Sequence, residues 1–158
     1  MDYFKYKTRY TGYSKKKVKS FLDLEVYKRS LELSVFVAKT LVKKIDQRSI
    51  QSNSYTKKVE DMLVESMTKT ALSIPHLIAE SNSRRFGGNT EFEAILDLVM
   101  LRCNKMVVYL EQVRDMLNID LATDEFEENI KKYLFIRRKV LNLQRVWKKY
   151  HSEYVKNN

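Results

Sequence analysis

Apolar residues recur at spacings of three and four along four separate stretches of the chain, which is the period of an α-helix. The clearest stretch alternates fours and threes between Phe92 and Leu117, a spacing typical of the buried seam of a helical bundle. Thr90, followed three residues later by Glu93, predicts a capping box at the start of this third helix. The predicted seam consists of Phe92, Leu96, Val99, Cys103, Met106, Leu110, Val113 and Leu117.

The other three stretches predict a first helix from Ser20 to about Ile45, a second over about 55–80, and a fourth that begins after Thr123 or Asp124. Ser20, followed by Asp23, is a favourable N-cap for the first helix. The inward face of the first helix is predicted to hold Phe21, Leu24, Tyr27, Leu31, Val35, Ala38, Val42 and Ile45. That of the second is predicted to hold Val59, Leu63, Met67, Ala71, Ile74 and Ile78. That of the fourth is predicted to hold Phe126, Ile130, Tyr133, Val140, Leu143, Trp147 and Tyr150.

Polar connections separate these helices, over 46–56 and again over 81–89, where two of the three glycines lie. Short connections make sequential helices antiparallel neighbours. The sequence therefore predicts an all-α, up-and-down antiparallel four-helix bundle over residues 20–152. A basic, tyrosine-rich N-terminal arm (1–19) precedes it, and a flexible tail (153–158) follows.

Pro75 is the single proline of the chain and lies inside the predicted second helix. Proline has no N–H to donate to the carbonyl of Ala71, and its ring clashes with that carbonyl. The residue therefore marks either a kink in the helix or a packed position that overrides the penalty.

The composition excludes several other classes of protein. Three glycines and one proline in 158 residues are too few for a turn-rich β sandwich or barrel. No apolar run approaches the roughly 18 residues needed to span a bilayer, and no apolar segment follows the basic N-terminus as in a signal peptide. A single cysteine excludes an internal disulfide framework and favours a reducing cytoplasm.

Residues suited to catalysis or metal binding are sparse. His76 and His151, the only histidines, lie on different predicted helices, and Cys103 lies on a core seam. No spacing of ligands typical of a metal site is present. The Gly87-Gly88 loop lacks the spacing of a phosphate-binding P-loop. We therefore expect neither a catalytic residue, nor a metal, nor a cofactor.

Positive charge is concentrated at the two ends of the chain, whose net charge is +10. Residues 1–20 carry seven Lys and Arg against one Asp, and residues 131–158 carry nine against one Glu. Such clusters can contact a polyanion, although solvated helix faces and a solubilising tail have the same composition. The predicted nucleic-acid-binding residues are Lys15, Lys16, Lys17, Lys19, Arg84, Arg85, Lys131, Arg137, Arg138, Arg145, Lys148 and Lys149.

Within that set, Lys131, Arg138, Arg145 and Lys149 share one broad helical face and are called the basic stripe below. Such a stripe can follow a phosphate backbone. The arm can stack tyrosines on unpaired bases or serve only as a solubilising tail. Arg84 can contact phosphate together with Arg85, or pair with Glu80 four residues earlier.

Two segments carry a resemblance to a known family. Residues 23–33 (DLEVYKRSLEL) and residues 73–80 (SIPHLIAE), followed by Arg84 or Arg85 and by Glu91-Phe92, resemble the 23S rRNA intervening-sequence protein family of bacterial four-helix bundles. The resemblance covers roughly residues 21–117. Leu77 stands where the family motif has Asn, Ser81 where it has Gly, and Arg102-Cys103 near the place of a Gly-Ser pair.

The resemblance implies a four-helix bundle without established enzymatic activity. Similar bundles are the accessory variability determinants of diversity-generating retroelements, which form pentameric barrels, bind nucleic acid through basic surfaces and partner a reverse transcriptase. The resemblance therefore implies a homo-oligomer with a connection to RNA.

Together these patterns predict a non-catalytic, RNA-binding accessory protein, with a reverse transcriptase as the partner implied by the resemblance. The alternative is a protein–protein interaction scaffold whose basic surface docks an acidic partner without binding nucleic acid.

Overall fold

The computed structural model of the chain describes residues 20–49, 53–87, 89–117 and 119–156, and within these ranges it is helical without strands. Three long helices are α3 (Ser54–Arg84), α4 (Glu91–Met116) and α5 (Thr123–Lys156). A first helical segment precedes them. It consists of α1 (Glu25–Phe36), a π-helical stretch (Val37–Leu41) and α2 (Val42–Ser49). The predicted all-α class and the number of helices are confirmed.

The first segment begins one turn later than predicted. Ser20 forms the predicted capping box with Asp23, but the box caps a short 3-10 turn, Phe21–Asp23. Leu24 then adopts an extended conformation, with ψ at 124°, and α1 starts only at Glu25.

The buried face of the first segment differs from the prediction. Leu31 and Val35, predicted to face inward, are 43% and 44% exposed. The buried residues are Leu24, Val26, Ser30, Leu33, Ser34, Val37, Leu41 and Ile45. Two of these are serines whose hydroxyls donate to carbonyl oxygens three residues earlier, at 2.8 and 2.7 Å. Because the hydroxyls of these serines are hydrogen-bonded within the helix, the serines can occupy the core. A prediction based on apolar residues alone therefore misses these buried positions.

α3 passes through Pro75 without ending, and Pro75 is buried against the core. The side chain of Asn53 accepts from the N–H of Thr56 and caps the helix. α3 continues to Arg84, so the predicted loop over 81–89 is wrong in its first residues. Ser81 is buried there and donates its hydroxyl to the carbonyl oxygen of Phe92 at 3.1 Å, which ties the end of α3 to the start of α4.

α4 supplies the centre of the core. All eight residues of its predicted seam are at most 3% exposed. The predicted capping box at Thr90 does not form, because Thr90 makes no side-chain cap bond and the carboxylate of Glu93 pairs with Lys148 instead. The side chain of Asn89 accepts from the N–H of Glu91 at 3.3 Å.

α5 is the longest helix and extends to Lys156, past the predicted boundary at residue 152. Phe126, Tyr133, Val140 and Trp147 are buried as predicted, whereas Tyr150 is 65% exposed. The prediction missed three further buried residues of this helix, Asn129, Ile136 and Gln144.

The helices pack around one core. α4 lies between α3 and α5, and α1 contacts both α3 and α5. In the part of the chain that the structure describes, no helix is long and apolar enough to cross a membrane.

Candidate nucleic-acid interface

The basic stripe lies on the side of α5 that faces away from the core. Its four residues are exposed, whereas Tyr133, Val140 and Trp147 on the opposite side are at most 5% exposed. At 1.5 Å per residue the stripe extends about 27 Å along the helix. The separation arises because core residues recur every three or four positions and leave the opposite positions to solvent.

None of the four stripe residues forms an ion pair with an acidic residue in the described ranges. The guanidinium of Arg138 lies 5.8 Å from the centre of the Phe135 ring, a loose cation–π contact. These charges are therefore available to an anion.

The residues beside the stripe are held by other contacts. Nζ of Lys148 lies 2.6 Å from Oε2 of Glu93, and this hydrogen bond raises the pKa of Lys148. Arg137 is half-buried, and its Nε is buried without a hydrogen-bond partner in the described part of the chain. Both predicted site residues therefore lie next to the stripe. Unlike the stripe residues, however, Lys148 is paired with a carboxylate and Arg137 is half-buried.

Arg84 joins the ends of two helices. Its guanidinium lies 3.1 Å from Glu80 at the end of α3 and 2.6 Å from Glu91 at the start of α4. The hydrogen bond to Glu91 contributes most to the raised pKa of Arg84. The predicted pairing with Glu80 is confirmed. Because Arg84 binds two carboxylates, it connects the end of α3 to the start of α4.

Arg85 contacts two aromatic rings, an arrangement that the sequence does not predict. Its guanidinium carbon lies over two rings, 4.4 Å from the centre of the Phe86 ring and 4.6 Å from that of the Trp147 ring. Burial lowers the pKa of Arg85, and its Nε has no hydrogen-bond partner among the described residues. Its charge is therefore balanced by aromatic faces rather than by a carboxylate.

Around Arg85 the loop after α3 and the last turns of α5 enclose a cavity of about 650 Å³, called the aromatic groove below. It is lined by Arg85, Phe86, Gly87, Trp147, Tyr150, His151 and Tyr154. The last four lie at positions i, i+3, i+4 and i+7 of α5, so they share one face of the helix. This spacing is visible in the sequence, where Trp147 and Tyr150 also belong to the inward face predicted for the fourth helix.

The remaining candidate side chains do not converge on a site. His76 is exposed on α3, whereas the ring of His151 packs edge-on at 6.1 Å from that of Phe92. Cys103 is buried in the core. Within the described residues, no group of three or more His, Cys, Asp or Glu side chains is arranged to hold a metal ion.

Part of the predicted site belongs to the N-terminal arm. Lys15, Lys16, Lys17 and Lys19, with the rest of the predicted arm, lie outside the described residues. The same is true of Gly88 in the predicted loop.

Comparison with protein-family models, with curated proteins and with solved structures gave no match to the chain. The resemblance to the intervening-sequence protein family therefore stays a prediction.

Proposed function

We propose that this protein is a non-catalytic, RNA-binding accessory protein that contacts RNA through the basic stripe of α5. One observation carries the proposal. Lys131, Arg145 and Lys149 are exposed along a single helix face and make no ion pair with a described acidic residue. Holding unpaired like charges along one line is electrostatically unfavourable, and a bound polyanion relieves the repulsion.

Binding by such a stripe is mainly electrostatic. Each phosphate that a Lys or Arg neutralises releases condensed counterions, so affinity falls steeply as salt rises. Arg138 and Arg145 add planar donors that fit two phosphate oxygens at once, which the single ammonium of a lysine does not. The stripe therefore supports binding with little dependence on base sequence.

The finer architecture belongs to the same proposal. Glu93 pairs with Lys148 while Gln144 donates to Asp97, which supports antiparallel packing of α4 and α5. Extended to all four helices, this gives an up-and-down bundle. Assembly into a homo-oligomer and a reverse transcriptase partner rest on the family resemblance, whereas cytoplasmic location rests on the single cysteine.

A second function is favoured by two apolar side chains beside the stripe. Leu134 and Val146 are 46% and 48% exposed on α5. Apolar groups flanking charges are common in protein interfaces, where they add buried area that a phosphate backbone does not use. The alternative is therefore a scaffold that docks an acidic protein.

Charge reversal tests the proposal. The variant K131E/R138E/R145E/K149E lowers the net charge from +10 by eight, to +2. A control variant, K28E/K43E/K58E/K105E, makes the same change at exposed lysines of α1, α2, α3 and α4. We expect the stripe variant to lose the salt-dependent part of RNA binding, with the slope of log K against log salt smaller by about three. The control is expected to keep most of it.

Fluorescence anisotropy with a structured RNA at several salt concentrations provides the measurement. Equal loss in both four-residue variants shows that only the net charge matters and contradicts the assignment of the stripe. Failure of the wild type to bind at low salt, together with a stoichiometric acidic protein that co-purifies, selects the scaffold instead.

A further inference from the structure

The aromatic groove offers ring faces to solvent on a folded surface. Phe86 is 74% exposed and Tyr150 is 65% exposed, while Trp147, at 5%, forms the wall toward the core. Phe92 supports that wall from behind, with its ring centre 6.0 Å from Trp147. Exposed aromatic side chains that surround a recess of ligand size are typical of a binding site.

The charge of the groove restricts what it can accept. Among the described residues that line it, Arg85 is the permanently charged one, and none is Asp or Glu. Phe86 and Trp147 contact the guanidinium of Arg85 through their rings, and the terminal N–H groups of an arginine are donors that suit an anion. An occupant is therefore favoured if it combines a flat, polarisable ring with an anionic group.

From this combination we propose that the aromatic groove binds an unpaired nucleobase of RNA by stacking on Phe86 and Tyr150, with the adjoining phosphate at Arg85. The proposal rests on the RNA-binding function proposed above and deepens it. The basic stripe would hold paired or unpaired backbone alike, whereas the groove would select a base that is free to leave its helix.

Aromatic residues suit a site for unpaired bases. Every base has a π face, so aromatic rings hold unpaired bases with little dependence on sequence. A base inside a duplex is already stacked on both sides and cannot enter a recess without unpairing. The groove therefore predicts a preference for single-stranded segments, of about tenfold when one base is held.

The test compares two RNAs of equal phosphate number, a hairpin with an unpaired loop and a fully paired duplex. Three proteins are titrated with each RNA: the wild type, the groove variant F86A/Y150A and the control Y55A, which removes a tyrosine that is 78% exposed at the start of α3. Both groove residues are largely exposed, so their truncation should leave the fold intact, which circular dichroism checks.

We expect the wild type and Y55A to bind the hairpin about tenfold more tightly than the duplex. F86A/Y150A should keep its duplex affinity and lose the preference. A preference that survives in F86A/Y150A overturns the proposal. The proposal is also overturned if F86A/Y150A differs from the wild type only in its oligomeric state, measured by sedimentation. The groove would then hold a second copy of the chain.

A separate readout distinguishes failure of the groove from failure of the proposed RNA binding. Trp147, the only tryptophan, lines the groove and reports directly on its occupation. Saturable quenching of its fluorescence by adenosine 5′-monophosphate, abolished in F86A/Y150A, supports the groove as a nucleotide site even if neither RNA binds. If the wild type binds neither RNA nor the nucleotide, both proposals fail. RNA binding with neither a hairpin preference nor nucleotide quenching overturns the groove alone.

Discussion

Arg48 and Glu60 form an ion pair whose two members differ greatly in burial. Nη1 of Arg48 lies 3.1 Å from Oε1 of Glu60, which joins α2 to α3. The Glu60 side chain is 1% exposed and that of Arg48 is 31% exposed. Oε2 of Glu60 is buried without a hydrogen-bond partner among the described residues. We predict that removing Arg48 will destabilise the fold far more than removing Glu60.

The magnitude follows from what each substitution leaves behind. Arg48→Met leaves a buried carboxylate with no counterion, and breaking a buried pair in this way costs about 3–5 kcal/mol. We expect about 3 kcal/mol, because Arg48 is partly hydrated and its attraction to Glu60 is correspondingly screened. Glu60→Met removes the buried charge and leaves an arginine that can turn to water, so the change should stay within about 1 kcal/mol.

Urea unfolding followed by circular dichroism measures both variants and the double variant R48M/E60M. The double variant should regain most of the stability lost in R48M, which gives a coupling free energy of about 2–3 kcal/mol between the two sites. The reasoning is refuted if E60M is as unstable as R48M, or if the double variant is no more stable than R48M alone.

Two further predictions concern the core. Burial raises the pKa of Cys103 from its ordinary value of 9.0 to about 12, so folding keeps the thiol protonated while the unfolded chain ionises. The contribution of the protonated thiol to the free energy of unfolding is complete below pH 9 and should fall by about 1.4 kcal/mol per pH unit from there towards pH 12. Urea unfolding at stepped pH should show a flatter decline in Cys103→Ala than in the wild type. An equal decline in both proteins would contradict the prediction. Leu33→Ala should lower the free energy of unfolding by about 2–5 kcal/mol, whereas Leu31→Ala should lower it by less than about 1 kcal/mol, since the two residues are 4% and 43% exposed. Similar losses of stability in both variants would contradict the buried face assigned to α1.

The sequence predicts helices well where apolar residues alone define the buried face. α4 is such a case, because all eight residues of its seam are apolar and all are buried. In the first segment, by contrast, Ser30 and Ser34 occupy core positions, and exposed Leu31 and Val35 offer a competing stripe. A serine that donates to its own helix is indistinguishable in sequence from one that faces water.

The candidate site could be predicted only in part for a related reason. Exposure of the basic stripe follows from the period of one helix, so Lys131, Arg138, Arg145 and Lys149 are found correctly on one open face. The aromatic groove depends on the contact of Arg85 with Trp147, more than sixty positions away in the chain. The pairing of Lys148 with Glu93 has the same origin, since helix periodicity does not reveal partners on another helix.

The π-helical stretch Val37–Leu41 has a consequence for how this chain aligns with others. The buried positions there are Val37, Leu41 and Ile45, spaced by four, whereas a straight seam alternates fours and threes. Deleting one residue between Val37 and Leu41 would restore that alternation through the whole segment. The stretch is equivalent to a single inserted residue absorbed by one wide turn. Chains that share this core but lack the wide turn would align correctly only with a one-residue gap in the first helix.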